Sequence, residues 1–160
     1  MSQKHLENKL FDMKKKKIKS NKVVNLSEFR DLSQTPDQPV VLVVEKDMVM
    51  RNGIKRILEA ENYRVLTAGD GLELSKVITL SKVDLMLIDT NLPWVDGWEL
   101  CEMIRAYPAF KKLPIILLTA HRKIKELEED LSCGADDILS KPFEVDQMLE
   151  VVAKNLEIEK

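Results

Sequence analysis

The feature that most constrains the fold is a regular alternation, from residue 40 onward, between short apolar segments and longer segments with helical periodicity. The apolar segments are rich in Val, Ile and Leu, which is typical of strands buried on both faces. Parallel strands joined by short crossovers need helices between them. The alternation therefore predicts an α/β fold with a doubly wound, five-stranded parallel sheet. The predicted strands span 40–44, 63–68, 85–88, 115–118 and 137–140.

The segments between the predicted strands carry helix-start signals and an apolar face. Asp47, Asp70 and Asp96 stand where N-cap residues are expected, and the last two are each followed three residues later by Glu, as in a capping box. Gly134 suits the C-terminal cap of the fourth helix. The residues predicted to face the core are Met50, Ile54, Ile57, Leu58, Leu74, Val77, Ile78, Leu100, Met103, Ile104, Tyr107, Ile124, Leu127, Leu131, Val145, Met148, Leu149, Val152 and Leu156.

Composition places the chain among globular proteins and disfavours several other classes. With 160 residues, of which 44% are hydrophobic and 32% charged, it has room for one domain and an appendage. No apolar run approaches the roughly 18 residues that cross a bilayer, and the N-terminus lacks the apolar segment of a secretory signal. Cys101 and Cys133 fit neither a zinc spacing nor a CxxC motif, so buried free thiols are predicted. These features predict a cytoplasmic protein without membrane insertion.

Charge divides the chain near residue 39. Residues 1–39 carry nine Lys or Arg against five Asp or Glu, a net charge of +4, whereas residues 40–160 carry sixteen against twenty-two, a net charge of −6. The Pro-Asp-Gln-Pro sequence at 36–39 marks the boundary. Residues 1–39 are therefore predicted to form a basic arm, flexible or partly helical, before a domain at 40–160. Nucleic-acid binding through lysines 14–22 is disfavoured, because basic residues alone are a weak signal.

Polar side chains that suit phosphoryl chemistry follow four of the predicted strands. In open α/β sheets, ligands bind outside the carboxyl ends of the strands. A carboxylate there can attack a phosphoryl group, a hydroxyl can hydrogen-bond a phosphoryl oxygen, and a lysine can neutralise its charge. The candidates are Glu45, Lys46 and Asp47 after the first strand, Asp89 after the third, Thr119 after the fourth and Lys141 after the fifth.

The chain resembles the receiver domains of response regulators, the CheY-like family, in the stretches DLMLIDTNLPWVDGWEL, PIILLTA and GADDILSKPF. The resemblance extends from residue 40 to residue 158 and implies the strand order 2-1-3-4-5. It implies that Asp89 accepts phosphate from a histidine kinase or phosphotransfer protein, that Thr119 is a switch residue, and that the Lys141–Pro142 peptide bond is cis. It also implies that the face of the fourth helix, fifth strand and fifth helix contacts a downstream protein.

Two residues depart from the pattern of that family. The family has two acidic residues after the first strand, which hold Mg²⁺ together with the acceptor aspartate and a backbone carbonyl. The resemblance assigns these positions to Glu45, Lys46, Asp89 and the carbonyl of Asn91, so that Lys46 replaces the second acid. Mg²⁺ prefers near-octahedral oxygen coordination, which an ammonium cannot supply. The second departure is Ile138, which stands where the family has an aromatic switch residue coupled to the threonine.

Lys46 leads to two alternative predictions about the metal. In the first, its ammonium lies beside Asp89, holds the resting carboxylate and makes Mg²⁺ binding weak or absent. In the second, Lys46 points to solvent and Asp47 supplies a carboxylate to the metal, although Asp47 is also the natural cap of the first helix. The first alternative predicts that Asp89 is weakly phosphorylated or not phosphorylated.

The sequence therefore predicts a stand-alone receiver domain of a two-component or phosphorelay system, which signals by protein–protein contact and is not an enzyme. Two other functions stay open: a fully active, Mg²⁺-dependent phosphoacceptor in a relay, and a constitutive interaction scaffold whose basic arm selects the partner. A homodimer is also left open. Among other polar residues, His121 is predicted to lie in an exposed loop, Trp94 to pack in the acceptor loop, and Asp136 and Asp137 to be loop and capping acids.

Overall fold

The fold is a five-stranded parallel sheet flanked by helices, in a computed structural model that describes residues 38–120 and 130–157. The strands lie in the order β2-β1-β3-β4-β5, and the neighbouring strands pair in parallel. This confirms the predicted fold class and strand order. The strands are β1 (Val40–Val44), β2 (Arg64–Ala68), β3 (Leu85–Asp89), β4 (Ile115–Thr119) and β5 (Asp137–Ser140).

The described helices begin where the sequence supplies capping groups. Asp47, Asp70 and Asp96 each accept a hydrogen bond from a backbone N–H in the first turn of the helix that follows, which confirms the three predicted N-caps. The helices are α1 (Met48–Ala60), α2 (Gly71–Leu80), α3 (Gly97–Arg105) and the last helix (Val145–Glu157), with short 3₁₀ helices at Pro108–Phe110 and Asp130–Cys133.

Residues 1–37, 121–129 and 158–160 lie outside the described part of the chain. The basic arm, except for its last two residues, falls in the first of these ranges. Most of the predicted fourth helix falls in the second, and with it part of the predicted partner-binding face. The individual predictions that lie outside the described residues for this reason concern His121, Ile124 and Leu127.

The end of the predicted fourth helix differs from the prediction. Residues Asp130–Cys133 form a 3₁₀ helix instead of a final α-helical turn. Leu131 is exposed rather than directed to the core, because the tighter three-residue turn changes which residues share a face. Gly134 follows with a φ of +93°, the left-handed conformation expected of a C-terminal cap.

Each face of the sheet carries its own apolar core. Leu42 and Val44 of β1 pack with residues of α2 and α3, whereas Val41 and Val43 pack with residues of α1 and the last helix. Successive strand residues point to opposite faces, so a strand made only of aliphatic residues serves both cores. The sheet is therefore covered by helices on both sides, as the doubly wound prediction requires.

Besides Leu131, two predicted core positions are wrong. Met50 and Val145 are 37% and 46% exposed. Both lie in the first turn of a helix, just past the loop that leaves the preceding strand, where the sheet offers little apolar surface to cover them. Tyr107 is only half-buried and lies beyond the end of α3, because the α-helix stops at Arg105. The other predicted core positions in α1, α2, α3 and the last helix are buried or half-buried.

Cys101 and Cys133 are buried free thiols, as predicted. Burial raises the pKa of the Cys101 thiol, and the neighbouring Cys133 raises it further. Within residues 38–120 and 130–157, no helix combines the length and the apolar character needed to cross a membrane.

Candidate phosphoacceptor site

The predicted site residues meet at the carboxyl edge of the sheet. Asp89 ends β3 and Thr119 ends β4, while Glu45 directly follows β1; all three side chains are buried. Lys141 follows β5 and is half-buried. Since parallel strands end at a common edge, four separated stretches of sequence deliver their polar groups to one place. The geometry therefore brings together a carboxylate pair, a hydroxyl and an ammonium.

The ammonium of Lys141 links the two buried carboxylates. Its Nζ lies 2.8 Å from Oε2 of Glu45 and 3.3 Å from Oδ2 of Asp89. The backbone N–H of Lys141 donates to the carbonyl of Thr119 at 2.7 Å, which extends the β4–β5 pairing up to the site. The peptide bond between Lys141 and Pro142 is cis, as the family resemblance implies. Asp89, 4% exposed, is thus paired with a cation while most of its water is excluded.

Backbone N–H groups hold the other oxygens of the two carboxylates. Oε1 of Glu45 accepts from the N–H of Asp47 at 3.1 Å, and Oδ1 of Asp89 accepts from the N–H of Asn91 at 3.0 Å. Burial raises the pKa of Glu45, against the opposing effects of the Lys141 ammonium and the Asp47 N–H; the nearby Asp89 adds to the increase. Each carboxylate is therefore fixed by one cationic and one backbone contact.

Lys46 does not lie where the first of the two metal predictions placed it. Its side chain is exposed, and among the described residues no ion pair joins it to Asp89 or to another carboxylate. Lys141 already supplies the cation between the carboxylates, and a second ammonium, which is strongly hydrated, is more stable facing water. The cation beside Asp89 is therefore Lys141 rather than Lys46.

Asp47 uses its carboxylate for helix capping. Its Oδ1 accepts from the backbone N–H of Val49 at 2.8 Å and of Met50 at 3.0 Å. These hydrogen bonds lower the pKa of Asp47, because they favour the ionised form. In the second metal prediction, in which Asp47 replaces the missing ligand, this carboxylate would have to serve the first turn of α1 through Oδ1 and the metal through Oδ2 at the same time.

The donor set provides oxygen ligands of the kind that Mg²⁺ prefers. Glu45 and Asp89 offer two carboxylates, and the carbonyl of Asn91 is the third donor that the resemblance implies. Mg²⁺ keeps several waters and can bind through one or two protein carboxylates together with substrate phosphates. No group of three or more His, Cys, Asp or Glu side chains suited to a metal occurs within the described residues. The residues present can therefore hold the ion, but they offer one carboxylate fewer than a site with two acidic residues after β1.

Arg51 is a site-supporting residue that the sequence did not reveal. Its Nη1 donates to the carbonyl of Glu45 at 2.8 Å and lies 3.5 Å from the carbonyl of Lys46. The guanidinium thereby fixes the backbone of the loop that carries the acidic positions. In a sequence, a charged residue in the first turns of a helix looks like any other exposed residue. The sequence therefore offers no reason to single out Arg51.

Gly97 allows α3 to begin directly against the acceptor strand. A Cβ atom at this position would lie 2.5 Å from the carbonyl oxygen of Asp89, and the N–H of Gly97 donates to the carbonyl of Thr90 at 3.0 Å. Trp94, in the same loop, is half-buried against Gly71, and its Nε1 has no hydrogen-bond partner among the described residues. The Asp96-Gly97 sequence thus serves both as a helix start and as a close backbone contact.

The remaining candidates lie around the site. Ile138 in β5 is half-buried and packs against the core on the α2–α3 side, while Thr119 is fully buried. Asp136 accepts from Nη2 of Arg105 at 2.6 Å. Asp136 lies in the loop before β5, as predicted, whereas Asp137 is the first residue of β5 and accepts from the N–H of Ile138 at 2.9 Å.

Comparison with known proteins gives a consistent result. The family profile described as "Response regulator receiver domain" matches residues 41–153. The response regulator MprA of Mycobacterium ulcerans is 36% identical over 109 residues, which are 68% of this chain and 46% of MprA. The chain thus spans about half the length of the curated relatives it matches.

Two solved structures extend the comparison to three dimensions. The receiver domain of the Francisella response regulator 1452 superposes with a TM-score of 0.70 at 30% identity, covering 77% of this chain and 100% of that domain. The receiver domain of the sensor histidine kinase PA1611 of Pseudomonas aeruginosa, solved with a magnesium ion coordinated in its active-site cleft, has a TM-score of 0.67 at 29% identity, covering 75% and 98%.

Proposed function

This chain belongs to the response regulator receiver domain family of two-component signalling, and from that premise we propose that Asp89 is its phosphoacceptor. The observation that supports this most directly is the setting of Asp89, a buried carboxylate at the end of β3 with a Lys141 ammonium 3.3 Å from one oxygen and the Asn91 N–H 3.0 Å from the other.

The chemistry that this arrangement favours is transfer of a phosphoryl group to a carboxylate. An oxygen of Asp89 attacks the phosphorus of a phosphohistidine, the P–N bond breaks, its electron pair returns to the imidazole nitrogen, and an acyl phosphate forms on Asp89. Lys141 neutralises the added negative charge, and the Thr119 hydroxyl donates a hydrogen bond to a phosphoryl oxygen. Glu45, Asp89 and the carbonyl of Asn91 would hold Mg²⁺, which would supply further positive charge during the transfer.

The loop after β1 is expected to make this transfer weak. Lys46 adds a positive charge but no oxygen ligand, and the Asp47 carboxylate is held by the first turn of α1. We therefore expect Mg²⁺ to bind weakly and Asp89 to be phosphorylated slowly or to a small extent. The domain would then signal by protein contact rather than act as an enzyme in its own right.

The expected partners are those of the family. A histidine kinase or phosphotransfer protein would deliver the phosphoryl group at the Asp89 edge. A downstream protein would contact the face made by the predicted fourth helix, β5 and the last helix, of which residues 121–129 lie outside the described part of the chain.

Intact-mass measurement tests the proposal. The full chain is incubated with a small acyl-phosphate donor, with and without Mg²⁺, beside the variant Asp89→Asn. We expect a phosphoryl adduct on a small fraction of the protein. Mg²⁺ should increase this labelled fraction, and the adduct should be absent from Asp89→Asn. An equal labelled fraction in Asp89→Asn and in the wild type would show that another residue is modified.

Two further functions predict different results in the same experiment. A fully active relay protein would be labelled to near completion at millimolar Mg²⁺. A constitutive scaffold would show no adduct in any condition, yet would bind its partner equally well as wild type and as Asp89→Asn.

A further inference from the structure

A groove of about 430 Å³ lies along one face of the last helix, and none of the phosphoacceptor-site residues lines it. Four of its lining residues come from that helix at positions i, i+3, i+4 and i+7, which place them on one face. The remaining two come from the connection between α1 and β2. The lining residues are Glu61, Tyr63, Asp146, Leu149, Glu150 and Ala153.

The groove combines an apolar surface with negative charge. Leu149, Ala153 and the ring of Tyr63 provide the apolar part, and the other three lining residues are acidic. None of the six is basic. Among the described residues, no ion pair engages Glu61, Asp146 or Glu150, whereas Asp137 near the same helix is paired with Lys154.

Nearby carboxylates act on Tyr63, which lines the groove. Burial raises the pKa of its hydroxyl, and the carboxylates of Glu61 and Glu157 raise it further. Glu157 thus adds to the negative charge around the groove. A groove with this lining favours a ligand that has several positive charges on apolar stems.

We propose that the groove binds the lysine-rich stretch at residues 14–22 of this chain's own basic arm. This stretch contains six lysines and no acidic residue. Lysine stems can cover Leu149 and the ring of Tyr63, while the ammonium groups reach the three carboxylates. The net charge of the arm is positive and that of the domain is negative. The acidic groove is therefore complementary in charge to the arm.

The chain leaves the arm close to the groove. The carbonyl of Pro39 accepts from the N–H of Arg64 at 2.9 Å, so the last residue of the arm lies beside the start of β2, next to Tyr63 in sequence. Pro39 follows Lys22 by seventeen positions, which allows a reach of up to about 60 Å when the chain is extended. Exposed ion pairs are weak one at a time, but a tethered ligand acts at an effective concentration of millimolar order.

Binding of the arm in the groove would keep its lysines from acidic surfaces of other proteins. An acidic partner would then have to displace the arm from Glu61, Asp146 and Glu150. The inference does not depend on phosphorylation of Asp89, because the groove and the phosphoacceptor site share no residue.

Zero-length carbodiimide cross-linking of the full chain, which joins carboxylates to amines in direct contact, tests the proposal. The monomeric product is separated by size, digested and mapped by mass spectrometry. We expect cross-links from residues 14–22 to Glu61, Asp146 or Glu150 at least fivefold more abundant than those to the exposed Glu99 and Glu102 of α3. High salt should reduce them severalfold.

Matched variants check the assignment. With Glu61→Gln, Asp146→Asn and Glu150→Gln combined, cross-links from residues 14–22 to Glu99 and Glu102 should increase, because the arm is released, whereas the control with Glu99→Gln and Glu102→Gln should keep the groove cross-links. Reversing the groove carboxylates to lysine should abolish them, and a compensating change of lysines 14–17 to glutamate should restore cross-linking.

Three results would overturn the proposal. Cross-links spread evenly over all exposed carboxylates would mean nonspecific attraction. Cross-links found only in a dimeric product would assign the groove to a second copy of the chain. No cross-link from residues 14–22 at all would mean that the arm does not occupy the groove.

Discussion

The two halves of the phosphoacceptor site are built differently. On the β3–β5 side, Asp89 and Thr119 are buried at strand ends, and Lys141 is ion-paired to both carboxylates. On the β1–α1 side, one residue after the buried Glu45, the chain turns outward with an exposed Lys46. The proposed acceptor side therefore has the three residues that the family resemblance implies, whereas the proposed metal side has Lys46 in place of its second acid.

The difference shows that acceptor geometry and metal donors can vary separately within one site. The acceptor side depends on three strands whose register places their ends together, so a change there disturbs the sheet. The metal side depends on a loop fixed by Arg51 and by the Asp47 cap, in which the side chain of Lys46 is exposed. We therefore expect a substitution at Lys46 to change metal affinity without moving the acceptor carboxylate.

The largest effect is expected from Lys46→Asp, which adds the missing carboxylate and removes a positive charge. We expect Mg²⁺ affinity to rise by at least tenfold, which corresponds to about 1.4 kcal/mol. Labelling of Asp89 by an acyl-phosphate donor should rise with it. Calorimetric Mg²⁺ titration and intact mass measure the two quantities.

The variant Lys46→Met distinguishes the effect of adding an oxygen ligand from the effect of removing a positive charge. It removes the ammonium without adding an oxygen, so Mg²⁺ affinity should change much less than in Lys46→Asp. Equal gains in both variants would mean that charge repulsion, and not a missing ligand, limits the wild type. Tight Mg²⁺ binding by the wild type would contradict the proposed difference between the two halves.

The next largest effect should come from the acceptor side, through Arg105. Its Nε donates to the carbonyl of Gly134 at 2.8 Å, its Nη1 to that of Phe110 at 2.9 Å, and its Nη2 to Asp136 at 2.6 Å. Asp136 in turn accepts from the N–H of Ile115, the first residue of β4. The guanidinium thus ties together the segments that begin β4 and β5.

We expect Arg105→Met to lower the unfolding free energy by about 1 kcal/mol, since several carbonyls lose a charged donor but can be partly rehydrated. Arg105→Lys should recover only part of the loss, because an ammonium cannot reproduce the fork of donors. Denaturant unfolding measures both. An unchanged midpoint in Arg105→Met would show that the network contributes little. The dependence of labelling on Mg²⁺ should stay as in the wild type.

The sequence predicted those parts of the site that follow from periodicity and local rules. Strand ends meet at one edge of a parallel sheet, so Asp89, Thr119 and Lys141 could be grouped before any coordinates were known. The Asp47 cap follows from local spacing alone. By contrast, Arg105 binds carbonyls 5 and 29 residues away, and arginine–carbonyl contacts leave no pattern in the sequence.

The direction of Lys46 could not be predicted for a related reason. Its position beside the acceptor follows from the sequence, but its exposure depends on whether another cation already pairs with Asp89. That cation is Lys141, 52 residues further along the chain from Asp89, at 3.3 Å. Tertiary geometry decides which of the two ammonium groups pairs with Asp89. Sequence spacing suggested Lys46, whereas the structure places Lys141 there.

A smaller effect is expected at Glu45, the one buried acid on the metal side. Because burial raises its pKa, the folded protein holds the proton to higher pH than the unfolded chain. Its contribution to stability is therefore fully present below the unfolded pKa of about 4.3 and is lost as the pH rises through the folded pKa.

Glu45→Gln removes this titration. The thermal midpoint of the variant should rise relative to the wild type by a few degrees between acid and neutral pH, while Mg²⁺ affinity falls. Glu99→Gln, at an exposed position in α3, is the control and should follow the wild type at every pH. A pH-independent difference between Glu45→Gln and the wild type would contradict the assignment.

The smallest effect is expected at Asp47, and it decides whether this residue belongs to the helix or to the metal. Hydrogen bonds from Met50 and Val49 lower its pKa, so its contribution to stability is present above the unfolded pKa of about 3.9 and is lost as the pH falls through the lower folded value.

Asp47→Ala removes both the cap and the carboxylate, whereas Asp47→Ser keeps a capping oxygen without a charge. At neutral pH the midpoint should fall slightly in Asp47→Ala and stay near the wild type in Asp47→Ser, and both variants should lose the acid dependence. Neither should change Mg²⁺ affinity in a calorimetric titration, because the Asp47 carboxylate already serves the first turn of α1. A matching loss of Mg²⁺ binding in both variants would instead make Asp47 the substitute ligand, and the metal side of the site would then be as complete as the acceptor side.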